Sequence, residues 1–182
     1  ASARPRGEFL SIDPDVALES LRTTAYGAFL TAQETAKRML PRGRGALFFT
    51  GATASVKGFA KSSVFAMSKF AVRGLAQSLA RELGPRGIHV VHFVIDGSVS
   101  LQDDGDDRLT PRTIAASYMA ALRQPPGAWS WELELRSQDE PFVLAARCGL
   151  AGASFTLGEQ TRLVEILSLS PVHGASSRSD LR

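Results

Sequence analysis

One cysteine, Cys148, stands among 182 residues. A lone thiol closes no internal bridge. That excludes a disulfide-stapled scaffold and leads us to expect a reducing, cytoplasmic compartment. No run of about 18 apolar residues occurs, so no membrane-spanning helix is expected. The 16 glycines follow no period, which excludes a collagen-like chain. Neither sign of charge dominates: 21 Lys and Arg face 18 Asp and Glu, a net +3. Basic and acidic residues are interspersed, so a solvated mixed surface is expected, with neither nucleic acid nor membrane as partner. Arg4 and Arg6 lack the amphipathic run of a transit peptide. Cys148 has no base near it in sequence and reads as a structural or incidental thiol. No second cysteine and no H-x-x-x-H spacing occur, so no metal is expected.

The apolar fraction of 44% suits one globular domain. Of 14 Phe, Trp and Tyr residues, all but Phe155 lie within residues 1–142. We therefore expect a core-forming domain over 1–142 and a divergent, poorly structured tail over 143–182. The tail closes on Ala175-Ser176-Ser177-Arg178-Ser179. A short helix around Glu159–Leu169 is its one periodic stretch.

Within 1–142 the pattern alternates. Asp13-Pro14 signals a helix start. Leu18, Leu21, Ala25, Ala28, Ala32, Ala36 and Leu40 form one apolar stripe of a long helix, which Pro41-Arg42-Gly43 stops. Ala46–Phe49 reads as a strand buried on both faces. A turn of small residues, Thr50–Ser55, leads to a helix from about Ser63 to Leu83. Its stripe is Val64, Met67, Ala71, Leu75, Leu79 and Leu83, and Gly84 supplies its left-handed cap. Ile88–Ile95 is a second apolar strand, interrupted by His89 and His92. These are three apart and so face opposite ways, which argues against a shared metal. Strand, helix and strand make a parallel βαβ unit with a right-handed crossover. Asp96-Gly97 turns the chain into an acidic loop, Gln102–Arg108. Thr110-Pro111 opens a helix with Ile114, Tyr118 and Leu122 at fourth positions. Trp129–Arg136 alternates as a half-exposed edge strand. The fold class is α/β with a mostly parallel sheet.

Ligands of such sheets bind outside the carboxyl ends of the strands. The segments leaving those ends are Thr50–Gly58 and Asp96–Leu101. Thr50-Gly51 with Gly58 matches neither G-x-G-x-x-G nor G-x-x-x-x-G-K-[ST], so a turn needing small residues is expected there. By pattern alone Lys69 reads as a solvated or snorkelling lysine.

The run Phe65-Ala66-Met67-Ser68-Lys69-Phe70-Ala71-Val72 continues as Leu75-Ala76-Gln77-Ser78-Leu79-Ala80-Arg81-Glu82-Leu83, then Gly87-Ile88-His89-Val90 and Asp96-Gly97. It resembles the second half of a classical short-chain dehydrogenase/reductase, whose pattern is Tyr-x-x-x-Lys, Leu-Ala-x-Glu-Leu, Gly-Ile-x-Val and Pro-Gly. The likeness is specific over Gly45–Gly97 and weaker over Gly7–Phe142. It implies a partial Rossmann-like, doubly wound parallel sheet, NAD or NADP as cofactor, and hydride transfer with a small carbonyl or alcohol substrate. Lys69 matches the family's lysine, and Phe65 falls on its tyrosine. A phenyl ring has no proton to give or take. The serine position falls on Ala52, with Thr53 and Ser55 close by, and the asparagine on Thr24. Gly97 and Val99 follow the second strand, where Val99 would offer its backbone to the nicotinamide amide. The resemblance also implies a glycine-rich turn ahead of Gly7, and hence an N-terminally truncated member whose cofactor binding is weakened.

Three roles follow from the resemblance and stay open at this point. The first is an oxidoreductase with impaired or no catalysis, in which Lys69 and Thr53 carry what remains. The second is a non-catalytic module that dimerises through helix 63–83. The third is a fragment without function.

Overall fold

The computed structural model describes residues 5–101 and 108–138. Cys148, the Glu159–Leu169 helix, the rest of the expected tail and most of the acidic loop lie outside the described residues.

Asp13 caps α1 (Pro14–Leu21), its carboxylate accepting from the Asp15 amide at 2.8 Å. Pro14 takes a first-turn place that needs no amide donor. A π-helical turn, Arg22–Tyr26, then leads into α2 (Gly27–Met39). The single long helix expected here is thus two α-helical lengths joined by a wider turn. The residue added in that turn rotates the inward face. Leu18 is exposed, Leu21, Ala25 and Ala28 are half-buried, and Ala32 and Ala36 are buried. Ser20 and Thr24 take inward places instead.

β1 (Gly45–Thr50), β2 (Ile88–Ile95) and β3 (Glu132–Leu135) form a sheet in the order β1-β2-β3, with both pairings parallel. The apolar run of β2 stays buried from Ile88 to Val94, and neither His89 nor His92 interrupts it. On one face Leu47, Phe49, Ile88 and Val90 pack against Ala32 and Ala36 of α2, and against Val72, Ala76 and Leu83 of α3 (Ser63–Leu83). On the other, Val91 and Phe93 meet Ala121 and Tyr118 of α4 (Pro111–Leu122). Helices on both faces of a parallel sheet make the doubly wound α/β arrangement. A fully buried side chain such as Phe93 contributes roughly 1.5–3 kcal/mol.

α3 has the bounds expected of it, and Val64, Leu75, Leu79 and Leu83 of the expected stripe are buried or packed against the core, but the other two stripe residues are not. Met67 and Ala71 are exposed, whereas Phe65, Ser68, Lys69, Val72 and Ala76 turn inward. The helix touches α1 as well as the sheet, so its buried arc is wider than one stripe and takes in polar residues. Ser68 Oγ lies 3.3 Å from Ser20 Oγ of α1. Gly84 is not the left-handed cap: its φ is −55°. The 3-10 turn Gly84–Arg86, with Pro85 early in it, carries the right-handed path onward, and Gly87 takes φ +84°. Leu122 is exposed, and Ala121 carries the inward position of α4. The expected edge strand is four residues long, and Trp129 and Trp131 precede it.

A methyl on Gly87 would collide with the Gly43 carbonyl oxygen, whereas one on Gly74, in mid-α3, would meet open space. Gly87→Ala is therefore expected to destabilise the chain by about 2 kcal/mol or more. Gly74→Ala is expected to stabilise it by about 0.5–1 kcal/mol through helix propensity. Paired thermal melts check both signs.

Candidate functional site

Thr50 closes β1, and its carbonyl oxygen is the anchor of the site. Lys69 Nζ donates to it at 3.0 Å. Lys69 retains 9% exposure. Burial pushes its ammonium below the usual lysine range. One helical turn earlier, the Phe65 ring presents its centroid 5.9 Å from that nitrogen.

A cavity of about 620 Å³ opens beside the anchor, with Thr23, Thr24, Thr31, Thr50 and Lys69 as its polar wall and Leu47, Phe49 and Val72 among its apolar lining. Thr24 belongs to the π-helical turn, and its buried Oγ1 has no hydrogen-bond partner among the described residues. A buried hydroxyl without a partner is costly. Such turns recur where a helix is re-aimed at a ligand. The cavity thus offers one cation and one unused hydroxyl.

The remaining expected site residues lie off that cavity lining. Thr53 Oγ1 donates to Asp96 Oδ1 at 2.6 Å, and the other Asp96 oxygen accepts from Arg136. The Thr53 proton is therefore committed to a carboxylate, and its oxygen is left to accept. Ala52 donates its amide to Ser55 Oγ at 3.1 Å. Gly97 adopts φ +144°, and Val99 is exposed. The structure brings Lys69 to Thr24 across one cavity and to Phe65 along one helix. Thr53 lies instead in the short turn after β1, where it bonds Asp96, and Gly97 follows Asp96 after β2.

Two features escape sequence reasoning. Tyr118 stacks on Phe93, centroids 3.7 Å apart, and its hydroxyl lies 2.8 Å from Thr50 Oγ1. Burial raises its phenol above the ordinary range, against the opposing bond to Thr50. Periodicity places Tyr118 inside, but no spacing signals the reach of its hydroxyl. The second feature is the carboxylate of Glu132, which strand alternation turns towards solvent. It accepts from Arg73 at 2.6 and 2.7 Å and lies 3.0 Å from His92 Nδ1. Burial drives the Glu132 carboxyl upward, but Arg73 and His92 outweigh it and hold the group below the usual range. Two histidines in an otherwise apolar strand were the available signal. Among the described residues no group of three His, Cys, Asp or Glu could hold a metal, and no helix is long and apolar enough to cross a membrane.

Thr53→Val removes a bond to an ionised carboxylate that keeps its Arg136 partner. The expected loss is about 2 kcal/mol, whereas Thr53→Ser stays within about 1 kcal/mol. Denaturant unfolding of both variants measures this.

Residues 1–103 match the family described as enoyl-(acyl carrier protein) reductase. L-rhamnose 1-dehydrogenase (NAD(P)(+)) of Azotobacter vinelandii is 30% identical over 104 residues, 57% of this chain and 40% of that protein. Carbonyl reductase family member 4 of Danio rerio is 37% identical over 73 residues, 40% of this chain and 30% of that protein. This chain thus spans less than half the length of either relative. A solved short-chain dehydrogenase from Rhodopseudomonas palustris superposes with a TM-score of 0.65 at 36% identity, covering 74% of this chain and 58% of that one. The structure of 4-hydroxyisoleucine dehydrogenase complexed with NADH shares the fold at 17% identity, with a TM-score of 0.65, over 74% of this chain and 64% of that one. The match over more than half of the chain, the parallel sheet and the likeness to these dehydrogenases together make the chain a member of the short-chain dehydrogenase/reductase family.

Proposed function

We propose that the chain carries a nicotinamide-dependent oxidoreductase site of this family whose catalytic power is impaired. The observation that carries the reading is the buried Lys69 ammonium, seated on the Thr50 carbonyl and facing a cavity shared with the unpartnered Thr24 hydroxyl. Those two groups fit the polar riboside end of NAD or NADP. Lys69 would hold the ribose hydroxyls. Gly97 and Val99 would offer backbone at the carboxyl end of β2. The cofactor supplies a hydride to a carbonyl carbon, or takes one from an alcohol. The names of the rhamnose and 4-hydroxyisoleucine dehydrogenases, which include NAD(P)(+) and NADH, support the same cofactor class.

This chain's own residues would do the rest, and here the set is incomplete. Carbonyl reduction needs a proton delivered to the developing alkoxide. The family resemblance puts a tyrosine where Phe65 stands, and a phenyl ring delivers none. Thr53 would be the nearest hydroxyl to the serine position, but its proton serves Asp96. No G-x-G-x-x-G occurs in these 182 residues, so the pyrophosphate gains no glycine-rich cradle from them. A single cysteine and mixed charge suit a small-molecule enzyme of a reducing, cytoplasmic setting.

A second reading, a dimerisation module, draws on exposed apolar side chains: Met67 and Phe70 on α3, and Phe29 and Leu30 on α2. A homodimer through helix 63–83 is expected to give a concentration-dependent sedimentation coefficient in the micromolar range. A concentration-independent monomer excludes it.

Thermal melts with millimolar NADH and NADPH test the cofactor. One of them is expected to raise the midpoint, by about 2.7 kcal/mol of stability at a hundredfold excess over Kd. Lys69→Met is expected to abolish the shift. Phe65→Tyr is expected to raise turnover on a broad carbonyl panel by about 10²–10⁴. A wild-type rate equal to that of Phe65→Tyr refutes impairment, and a cooperative melt that neither cofactor shifts favours the dimerisation module.

A further inference from the structure

Beneath the Lys69 seat lies a polar assembly that the proposed function leaves unused. His92, in mid-β2, has no solvent exposure. Its Nδ1 lies 3.0 Å from Glu132 Oε2. Arg73 of α3 grips the same carboxylate with two parallel bonds, its Nε at 2.6 Å and a terminal nitrogen at 2.7 Å. The guanidinium carbon also lies 5.7 Å from the Trp131 ring centroid. An ionised carboxylate only accepts, so Nδ1 carries a proton, and in the neutral ring Nε2 keeps its lone pair. That Nε2 is buried and has no partner among the described residues.

The direction of Nε2 is informative. A methyl on Gly51 would collide with His92 Nε2 and Cε1, and would stand 2.7 Å from Ser55 Oγ. The imidazole edge therefore lies directly against the Gly51 backbone. The Gly51 amide donates to the Phe93 carbonyl at 2.7 Å, which fixes the turn from the other side. Thr50 precedes Gly51, and its carbonyl holds Lys69. Ring, turn and ammonium follow one another, each in contact with the next.

We propose that His92 is a positioning residue for Lys69: held in its Nδ1–H tautomer by the Arg73–Glu132 pair, it seats Gly51 on the unprotonated Nε2 edge and so sets where the Thr50 carbonyl stands. This inference needs the Lys69 seat and does not depend on cofactor binding. A proton on Nε2 would enter the Gly51 contact, where Ser55 Oγ already accepts from the Ala52 amide. The charged groups facing the ring are Glu132 from β3 and Arg73 and Lys69 from α3. Burial and the two cations favour the neutral ring, and Glu132 opposes them. A folded-state value below the ordinary imidazole value of about 6.5 means the closed turn is fully stable above that pH and is lost as pH falls towards the folded value.

Nitrogen-15 NMR of the histidines, amide exchange at Gly51 and Ala52, and the Lys69 Nζ titration, all on the full chain, test this. Wild type is expected to hold His92 as the neutral Nδ1–H tautomer. Opening at Gly51 and Ala52 should rise by up to about tenfold per pH unit below about 6.5. His92→Gln keeps a donor for Glu132 and does not titrate, so its opening should be flat with pH and its Lys69 titration unchanged. His92→Phe keeps ring bulk without the donor, and its Lys69 titration should move towards the ordinary lysine value. An Nε2–H tautomer in wild type overturns the proposal. So does an equal pH dependence in His92→Gln, or an unmoved Lys69 in His92→Phe. Should neither variant fold, the wild-type tautomer and its pH dependence decide alone: absence of either refutes the positioning role. No readout involves a cofactor, so failure here leaves the oxidoreductase reading standing, and the reverse holds too.

Discussion

The parallel pairing of β2 on both of its edges is the constraint from which the rest of the structure follows. Six residue pairs join it to β1 and four join it to β3. A central strand paired on both sides, with a helical layer on each face, has no route to water for its side chains. Little that β2 carries reaches water, so His89 and His92 each bond through one ring nitrogen, while His92 Nε2 stays without a partner among the described residues. His89 stacks on Trp129 with ring centroids 4.7 Å apart and bonds the Ser130 carbonyl. His92 turns the other way, to Glu132. Both partners sit on the chain that runs into β3, so the two histidines help to place a strand whose own ladder is only four residues long.

The same pairing decides where polar chemistry can stand. The parallel strands run out on the same side, β1 two residues short of β2, so Thr50, Asp96 and Arg136 come to one end of the sheet. There Asp96 joins Thr53 to Arg136, and Thr50 joins Lys69 to Tyr118. Each junction is one group at a strand end bonded by partners from other elements. Buried charges of this kind are weak sources of stability, since desolvation offsets much of their attraction. They are expensive to break one at a time, so they hold geometry even where they add little net free energy.

Much of this was legible in the sequence, and the misses have physical causes. The bounds of α3 follow from turn residues before Ser63 and from the Gly84-Pro85 break. The two apolar strands and the sheet class follow from composition and periodicity. The inward face of α3 was legible only in part, because an apolar count ranks Met67 above Lys69, whereas tertiary contact with α1 and the Thr50 carbonyl rewards the lysine. The π-helical turn left no mark, since Arg22–Tyr26 contains neither Pro nor Gly. Its consequence, Thr24 facing inward in place of a stripe alanine, was therefore out of reach of a 3.6-residue period. Glycine misled in a simple way: the first glycine after α3 was given the left-handed role that the 3-10 turn postpones to Gly87. Glu132 was assigned to solvent because alternation describes two faces of a strand and says nothing of an arginine waiting on α3.

Phe65 is where these threads meet. Its ring occupies the helical position one turn before Lys69, and the ammonium 5.9 Å from its centroid is attracted to the π face. That interaction favours the charged lysine, while burial disfavours it, and the direction of the net shift is downward. Burial therefore outweighs both the ring and the Thr50 carbonyl. With one bond to the Thr50 carbonyl, the ammonium keeps further donors for an oxygen placed in the cavity. Under the oxidoreductase reading proposed above, Lys69 would serve binding, while the Phe65 ring has no proton to exchange.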